Sequence, residues 1–131
     1  MATIFTRIIK GEIPCYKIYE DDNYFAFLDI NPLQKGHTLV IPKKEDDYIF
    51  NLDDATYSGL MMTAKKIAAA IKESTNCKRV GVTVLGMEVP HVHIHLVPMN
   101  SEKDMLFSNP KKELSKEEFE AIAADIAKRI K

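Results

Sequence analysis

The stretch Pro90-His91-Val92-His93-Ile94-His95-Leu96-Val97-Pro98 decides the fold of this chain. It contains three of the four histidines in the sequence, and apolar residues stand between them. Because successive side chains of a β-strand point to opposite faces, this period of two predicts a strand with all three imidazoles on one face. The intervening apolar side chains then point to the other face, where they can join a core. Three imidazoles in register are an unusual way to build a core, so the stretch indicates a functional site.

Composition is that of an ordinary globular protein. The 131 residues are 46% hydrophobic and 28% charged, with a formal net charge of -1. No basic excess suggests a nucleic-acid polymer as partner. Cys15 and Cys77 form neither a disulfide framework nor a paired metal motif, which is typical of a reducing compartment. Since no apolar run approaches about 18 residues and no signal-peptide pattern is present, we expect a cytoplasmic protein with no membrane partner.

The rest of the chain predicts a sheet and three helices. Strand signals, in which β-branched and aromatic residues stand between turn-forming residues, cover residues 16–19, 24–29, 37–41, 79–85 and 90–98. Helical spacing of apolar residues, with a capping box at Ser115 and Glu118, covers residues 1–10, 53–77 and 115–130. Because most connections are too short for crossovers, we predict an α+β class: a five-stranded antiparallel sheet with one long helix, a short N-terminal helix and a C-terminal helix.

Four blocks of the sequence, in this order, resemble the histidine triad (HIT) superfamily and are closest to its Hint-like branch. Residues 91–97 have the form His-φ-His-φ-His-φ-φ, where φ is apolar, which is the signature of the superfamily. Residues 4–14, 24–32 and 36–43 resemble its N-terminal segment, its nucleotide-contacting strand and its central strand. The resemblance covers residues 2–99 and implies a HIT-like fold.

The extent of the resemblance also bears on domain organisation. We expect a single HIT domain over residues 1–131, in which residues 100–131 form a C-terminal helical extension without a counterpart in the matched blocks. The resemblance further implies a homodimer whose two five-stranded sheets join into one ten-stranded sheet.

The resemblance implies a chemistry and assigns residues to it. HIT proteins are nucleotide hydrolases and nucleotidyl transferases that act on an α-phosphate. By position, His93 is the nucleophile, with His91, His95 and His37 around it, and Asp29 holds the ribose hydroxyls. The base pocket is formed by the apolar residues Ile4, Phe5, Ile8, Phe27 and Ile30.

Imidazole chemistry fits these assignments independently. A neutral imidazole is abundant near pH 7, because its ordinary pKa is about 6.5. Attack on a phosphate gives a labile phosphoimidazole, which water or another acceptor can resolve. His91 and His95 are placed to orient His93 or to reach a phosphate oxygen, and their N–H groups can stabilise developing charge. Asp29 ends its strand just before a turn, so a turn-capping role is the alternative to ribose binding.

The chain departs from the family pattern at two places that bear on substrate and metal. Thr3 and Thr6 occupy the positions of a zinc-binding Cys-x-x-Cys found in many bacterial relatives, so we predict no structural zinc, no other metal and no cofactor. Gly86-Met87-Glu88-Val89 stands where the family has Gly-Gln-Ser/Thr-Val. We assign Gly86 and Glu88 to substrate binding. An ionised Glu88 would repel phosphate, a protonated one could donate to a leaving group, and a solvent-facing one would do neither.

The leading interpretation is a hydrolase of nucleotide conjugates, resembling nucleoside phosphoramidases, that acts on a purine nucleotide through a covalent nucleotidyl-His93 intermediate. A nucleotidyl transferase differs only in the acceptor. The altered segment 86–89 keeps open a nucleotide-binding protein with little catalytic activity, and the histidine cluster keeps open a metalloprotein.

Overall fold

A computed structural model describes residues 2–131 of the chain, so Met1, the first residue of the predicted N-terminal helix, lies outside the described residues. The strands are β1 (Lys17–Glu20), β2 (Tyr24–Leu28), β3 (Thr38–Pro42), β4 (Arg79–Thr83) and β5 (Ile94–Met99). The helices are α1 (Ile4–Ile9), α2 (Asp54–Thr75) and α3 (Lys116–Arg129). The sheet has the order β1-β2-β3-β5-β4, and each neighbouring pair is antiparallel. The predicted α+β class and antiparallel sheet are confirmed.

The main core lies between one face of this sheet and the helices α2 and α3. Val92, Ile94 and Leu96 are fully buried in it, as their alternation with the histidines predicts. The apolar stripes of α2 and α3 pack into the same cluster. Because α3 also stacks Phe119 on Tyr16, with ring centroids 4.8 Å apart, the C-terminal helix is part of the body of the protein.

The opposite face of the sheet carries the short helix α1. A small apolar cluster there joins the helix to β2 and β3, and it comprises Phe5, Phe25, Phe27, Leu39 and Ile41. The helix begins at Thr3, whose side chain accepts from the Thr6 amide and caps it. It leaves much of this face uncovered, and the histidines point to this side.

Two strand boundaries differ from the prediction by more than one residue. β5 begins at Ile94 rather than at Pro90, because the Val92 amide donates to the carbonyl of Asp46 at 2.7 Å instead of to β3. His91 and His93 therefore belong to the segment that leads into the strand. Likewise β4 ends at Thr83, two residues before the predicted end at Leu85. No helix among residues 2–131 is long and apolar enough to cross a membrane.

Candidate active site

A cavity of about 460 Å³ opens on the α1 side of the sheet. Its lining includes most of the residues that the sequence assigns to a nucleotide site: Ile4, Phe5, Ile8, Phe27, Asp29, Ile30, Gly86, Glu88, His93 and His95. The other two assigned residues, His37 and His91, are buried and do not line it. The ten lining residues come from four separate parts of the chain, which the fold brings to one place.

His93 presents an unprotonated nitrogen to this cavity. Its Nδ1 lies 2.7 Å from the backbone carbonyl oxygen of His91. A carbonyl can only accept, so Nδ1 carries the proton and, in the neutral ring, Nε2 keeps a free lone pair. A lone pair at this position is what a nucleophilic imidazole requires.

The tautomer of His95 is set by a chain of hydrogen bonds that starts at a backbone amide. Leu33 N–H donates to His37 Nδ1 at 3.0 Å, which leaves the proton of neutral His37 on Nε2. That Nε2 lies 3.0 Å from His95 Nδ1 and donates to it. The proton of His95 is therefore on Nε2, the nitrogen that is free to act as a donor in the cavity.

Burial keeps both of these histidines neutral. Desolvation lowers the pKa of His37 to about 3, and the neighbouring His95 adds to the effect. Desolvation likewise lowers the pKa of His95 to about 4, with a contribution from His93. At pH 7 the pair is uncharged, so the contact of 3.6 Å between His37 Nε2 and Asp29 Oδ2 is not an ion pair.

His91 is engaged at both ring nitrogens by the protein itself. Its Nε2–H donates to the carbonyl of Pro42 at 2.8 Å, and its Nδ1 accepts from the Thr3 hydroxyl at 2.7 Å. The side chain is fully buried. No nitrogen remains for a phosphate, so the geometry favours the orienting role expected of His91 over contact with a phosphate oxygen.

Thr3 ties His91 to a network that sequence reasoning missed. The Glu45 carboxylate accepts from Thr3 N–H at 2.9 Å and from the Thr6 hydroxyl at 2.5 Å. These hydrogen bonds hold the pKa of Glu45 below its usual range. They fix α1, and with it Phe5, whose ring edge contacts His93 at a centroid distance of 5.0 Å. The sequence analysis considered Thr3 and Thr6 only as positions where relatives carry zinc-binding cysteines.

Asp29 caps a turn and also lines the cavity. Its Oδ1 accepts from Asn31 N–H at 2.8 Å and caps the turn after β2. The carboxylate also lines the cavity, and its Oδ2 lies 3.6 Å from His37 Nε2. Burial raises the pKa of Asp29 above its usual range.

Gly86 and Glu88 stand at the opening of the cavity. Gly86 has a φ of +68°, a left-handed conformation that L side chains rarely adopt. Glu88 is exposed to solvent and also lines the cavity.

Phe107 is a site residue that the sequence analysis did not identify. Its ring lies edge-on to His95 and to His37, at centroid distances of 4.9 Å and 6.2 Å. It belongs to the extension after residue 99, beyond the blocks that resemble a known family. The only available signal was an aromatic residue after two apolar ones in an otherwise polar linker.

Within residues 2–131, one cluster has the composition of a metal site: Asp29, His37 and His95, with ligand atoms within 4.8 Å of one another. The ring nitrogens that would bind the ion, His37 Nε2 and His95 Nδ1, are already hydrogen-bonded to each other. The buried polar side chains of the described chain also all have partners. The cluster therefore gives no independent indication of a metal ion.

Comparison with known proteins identifies the family. The HIT domain model matches residues 10–102, and the chain belongs to this family. It is 38% identical to an uncharacterised HIT-like protein of Borreliella burgdorferi over 97% of both chains. It is 37% identical to the adenosine 5'-monophosphoramidase hnt1 of Schizosaccharomyces pombe over the full length of both. The crystal structure of a Hit-like protein from Bartonella henselae superposes with a TM-score of 0.82, at 31% identity, over 97% of this chain and 95% of that one.

Proposed function

We propose that this HIT-family enzyme hydrolyses conjugates of a purine nucleotide, of the nucleoside phosphoramidate type, at the α-phosphate. The observation that carries the proposal is the hydrogen bond from His93 Nδ1 to the His91 carbonyl, which leaves Nε2 as a nucleophile facing the cavity. The apolar walls formed by Ile4, Phe5 and Phe27 suit a purine base. A full-length relative named as an adenosine monophosphoramidase supports the substrate class.

The proposed reaction has two displacement steps. His93 Nε2 attacks the phosphorus, and the bond to the leaving nitrogen breaks; ammonia departs from the N-protonated phosphoramidate without needing a further proton. His95 Nε2–H stabilises the charge on a phosphate oxygen during this step. Water then attacks the nucleotidyl-His93 intermediate, AMP is released, and a proton passes to solvent. If another acceptor replaces water, the same first step gives a nucleotidyl transferase.

Incubation with adenosine 5'-phosphoramidate tests the proposal. We expect AMP release by the wild-type protein and a loss of at least about 10³-fold in His93→Ala, because the nucleophile is removed. A mass increase of one adenylyl group on His93, trapped by rapid acid-free quenching, would identify the intermediate. Undiminished activity in His93→Ala would rule out this assignment. AMP binding without turnover of any conjugate would favour the nucleotide-binding alternative.

We also propose that the enzyme is a homodimer that acts in the cytoplasm. β4 is an edge strand with Val82 exposed, and α2 exposes Tyr57, Met61 and Met62. A second copy pairing along β4 would extend the sheet to ten strands and cover apolar surface that is costly to expose. Light scattering should give twice the monomer mass, and Val82→Lys should reduce it to the monomer. A monomeric wild-type protein at micromolar concentration would contradict the dimer.

A further inference from the structure

A connected series of aromatic rings includes the imidazoles of His93 and His95, whose centroids lie 5.0 Å apart. His93 packs against Phe5, with centroids 5.0 Å apart and ring planes at 80°. His95 packs against Phe107, with centroids 4.9 Å apart and ring planes at 78°. This near-perpendicular arrangement is one that aromatic pairs prefer. Each of the two histidines that face the cavity is therefore in contact with one phenyl ring, in nearly the same geometry.

The ring of Phe107 comes from a segment whose position is fixed by hydrogen bonds. The Lys111 ammonium donates to the carbonyl of Phe107 at 2.5 Å and to that of Asn109 at 3.1 Å. Lys112 N–H donates to the carbonyl of Pro32 at 2.8 Å, which joins the segment to the loop between β2 and β3. The contact of Phe107 with His95 is thus supported on both sides of residue 107 by the fold.

Phe107 contacts both members of the hydrogen-bonded pair His37 and His95. Its centroid lies 6.2 Å from that of His37 and 4.9 Å from that of His95, and the ring lines the cavity. The hydrogen bond from His37 holds His95 at Nδ1 alone, which leaves the imidazole free to tilt about that point. A phenyl ring packed on the imidazole removes this freedom. It also has no donor or acceptor that could compete for Nδ1.

We propose that Phe107 is a positioning residue, whose ring fixes the plane of the His95 imidazole and thereby the direction of its Nε2–H. This inference rests on the proposed function, in which that N–H stabilises charge on a phosphate oxygen. A donor that is already oriented needs no reorganisation as the charge develops. The C-terminal extension would then supply to His95 the packing that α1 supplies to His93.

Kinetics with adenosine 5'-phosphoramidate measures the effect of removing the ring. In Phe107→Ala we expect kcat to fall about 10-fold, because the ring contact is lost and the donor is misplaced. Phe107→Leu keeps an apolar side chain against His95 and should recover part of the loss. Leu106→Ala is the matched control, since Leu106 is the neighbouring residue, is 50% exposed and does not line the cavity. It should leave kcat unchanged.

Nitrogen NMR shifts of His95 test the positioning without turnover. In the wild-type protein they should show a protonated Nε2 and an unprotonated Nδ1. In Phe107→Ala the two shifts should move towards each other, because the ring samples more than one orientation, whereas Leu106→Ala should leave both in place. If Phe107→Ala does not fold, Phe107→Leu gives the same comparison with a smaller change.

The two readouts separate the possible failures. Unchanged His95 shifts in the folded Phe107 variants would overturn the inference whatever happens to kcat, and so would an equal loss of kcat in Leu106→Ala. A fall in thermal stability alone, with kcat and the shifts unchanged, would reduce Phe107 to a structural residue and also overturn it. Failure of the wild-type protein to release AMP would instead overturn the proposed function, and with it the catalytic role of this contact.

Discussion

His91 and His95 both lie two residues from His93, but the hydrogen bonds of their ring nitrogens differ. Both ring nitrogens of His91 form hydrogen bonds within the protein, one to the Pro42 carbonyl and one to the Thr3 hydroxyl. In His95, Nδ1 is hydrogen-bonded to His37, and Nε2 remains available to the cavity. The difference teaches that the spacing of the motif positions the rings, whereas residues outside the motif decide which nitrogen each ring offers.

The two flanks also differ in what fixes them. On the His95 side the hydrogen-bond chain begins at the backbone amide of Leu33 and is buried throughout. On the His91 side it passes through Thr3 to the exposed carboxylate of Glu45. A buried chain anchored on backbone resists substitution at the surface, so the His91 flank is the more vulnerable one.

Removing the Nε2–H donor of His95 should give the largest loss of activity. In His95→Ala the donor to the phosphate is lost, and we expect kcat for adenosine 5'-phosphoramidate to fall by about 10²- to 10³-fold. His95→Gln retains a side-chain N–H donor and should recover part of the loss. Steady-state kinetics measures both variants. If kcat in His95→Ala stays within about threefold of wild type, His95 is not the donor. The difference in hydrogen bonding between His91 and His95 would then have no effect on catalysis.

Acid should weaken the fold through the His95 flank. His37 and His95 have pKa values of about 3 and about 4 in the folded protein, against about 6.5 when unfolded. Below pH 6.5 the unfolded chain therefore binds more protons than the folded one. The free energy of unfolding should be constant above about pH 7 and fall as pH drops from 6.5 towards 4, by up to about 1.4 kcal/mol per pH unit for each histidine.

Urea unfolding at pH 7.5, 6.0 and 5.0 measures this slope. His37→Leu removes one of the two groups and should make it shallower. The lowered pKa values of aspartate and glutamate side chains act mainly at lower pH. Burial also lowers the pKa of His91, so this histidine adds to the slope in the same pH range and still does so in His37→Leu. A wild-type stability that is unchanged between pH 7.5 and pH 5.0 would mean that the pair takes up protons in the folded state.

How far the sequence predicts these flanks depends on the kind of signal. Alternation in residues 91–96 predicts the strand, its two faces and the buried position of Ile94 and Leu96, because a period of two has one structural meaning. The start of α3 at Ser115 follows from its capping box, whereas the helix predicted from residue 1 begins only after the Thr3 cap, which was not identified. The late start of β5 does not follow from a local rule, since it depends on a hydrogen bond from Val92 to a loop residue distant in sequence.

The site was predictable where it matches the family blocks and not elsewhere. The residues lining the cavity from α1 and the histidine segment were all assigned in advance, and so was Phe27 of β2, whereas Leu28 of the same strand was not. The hydrogen-bond partners of His91 were not, because a threonine at position 3 has no pattern that points to position 91. Phe107 was missed for the same reason: it reaches the site through tertiary packing of a polar linker.

Breaking the His91 flank should give a smaller effect than breaking the His95 flank. Thr3→Val keeps the shape of the side chain but removes the cap of α1 and the hydrogen bond to His91. We expect the free energy of unfolding to fall by about 1–2 kcal/mol and KM to rise about threefold, because Phe5 and the base wall move with the helix. Thr3→Ser should restore both quantities.

Thermal unfolding and steady-state kinetics separate two outcomes for Thr3→Val. Loss of stability with an unchanged KM would make the Thr3 network a purely structural support of α1. A fall in kcat as large as that of His95→Ala would show that His91 contributes directly to the chemistry, contrary to the full engagement of its ring nitrogens.

Glu88 lies at the cavity opening rather than on either flank and should give the smallest effect. Because Glu88 is exposed and lines the cavity, Glu88→Gln should remove a carboxylate that repels the substrate, so KM should fall about two- to threefold at low salt and converge with wild type at high salt. A protonated Glu88 that donates to the leaving group would behave differently: Glu88→Gln would then lower kcat and leave the salt dependence unchanged. Kinetics at two ionic strengths therefore distinguishes a repelling carboxylate from a donating one, and an effect confined to kcat would add Glu88 to His95 as a second donor.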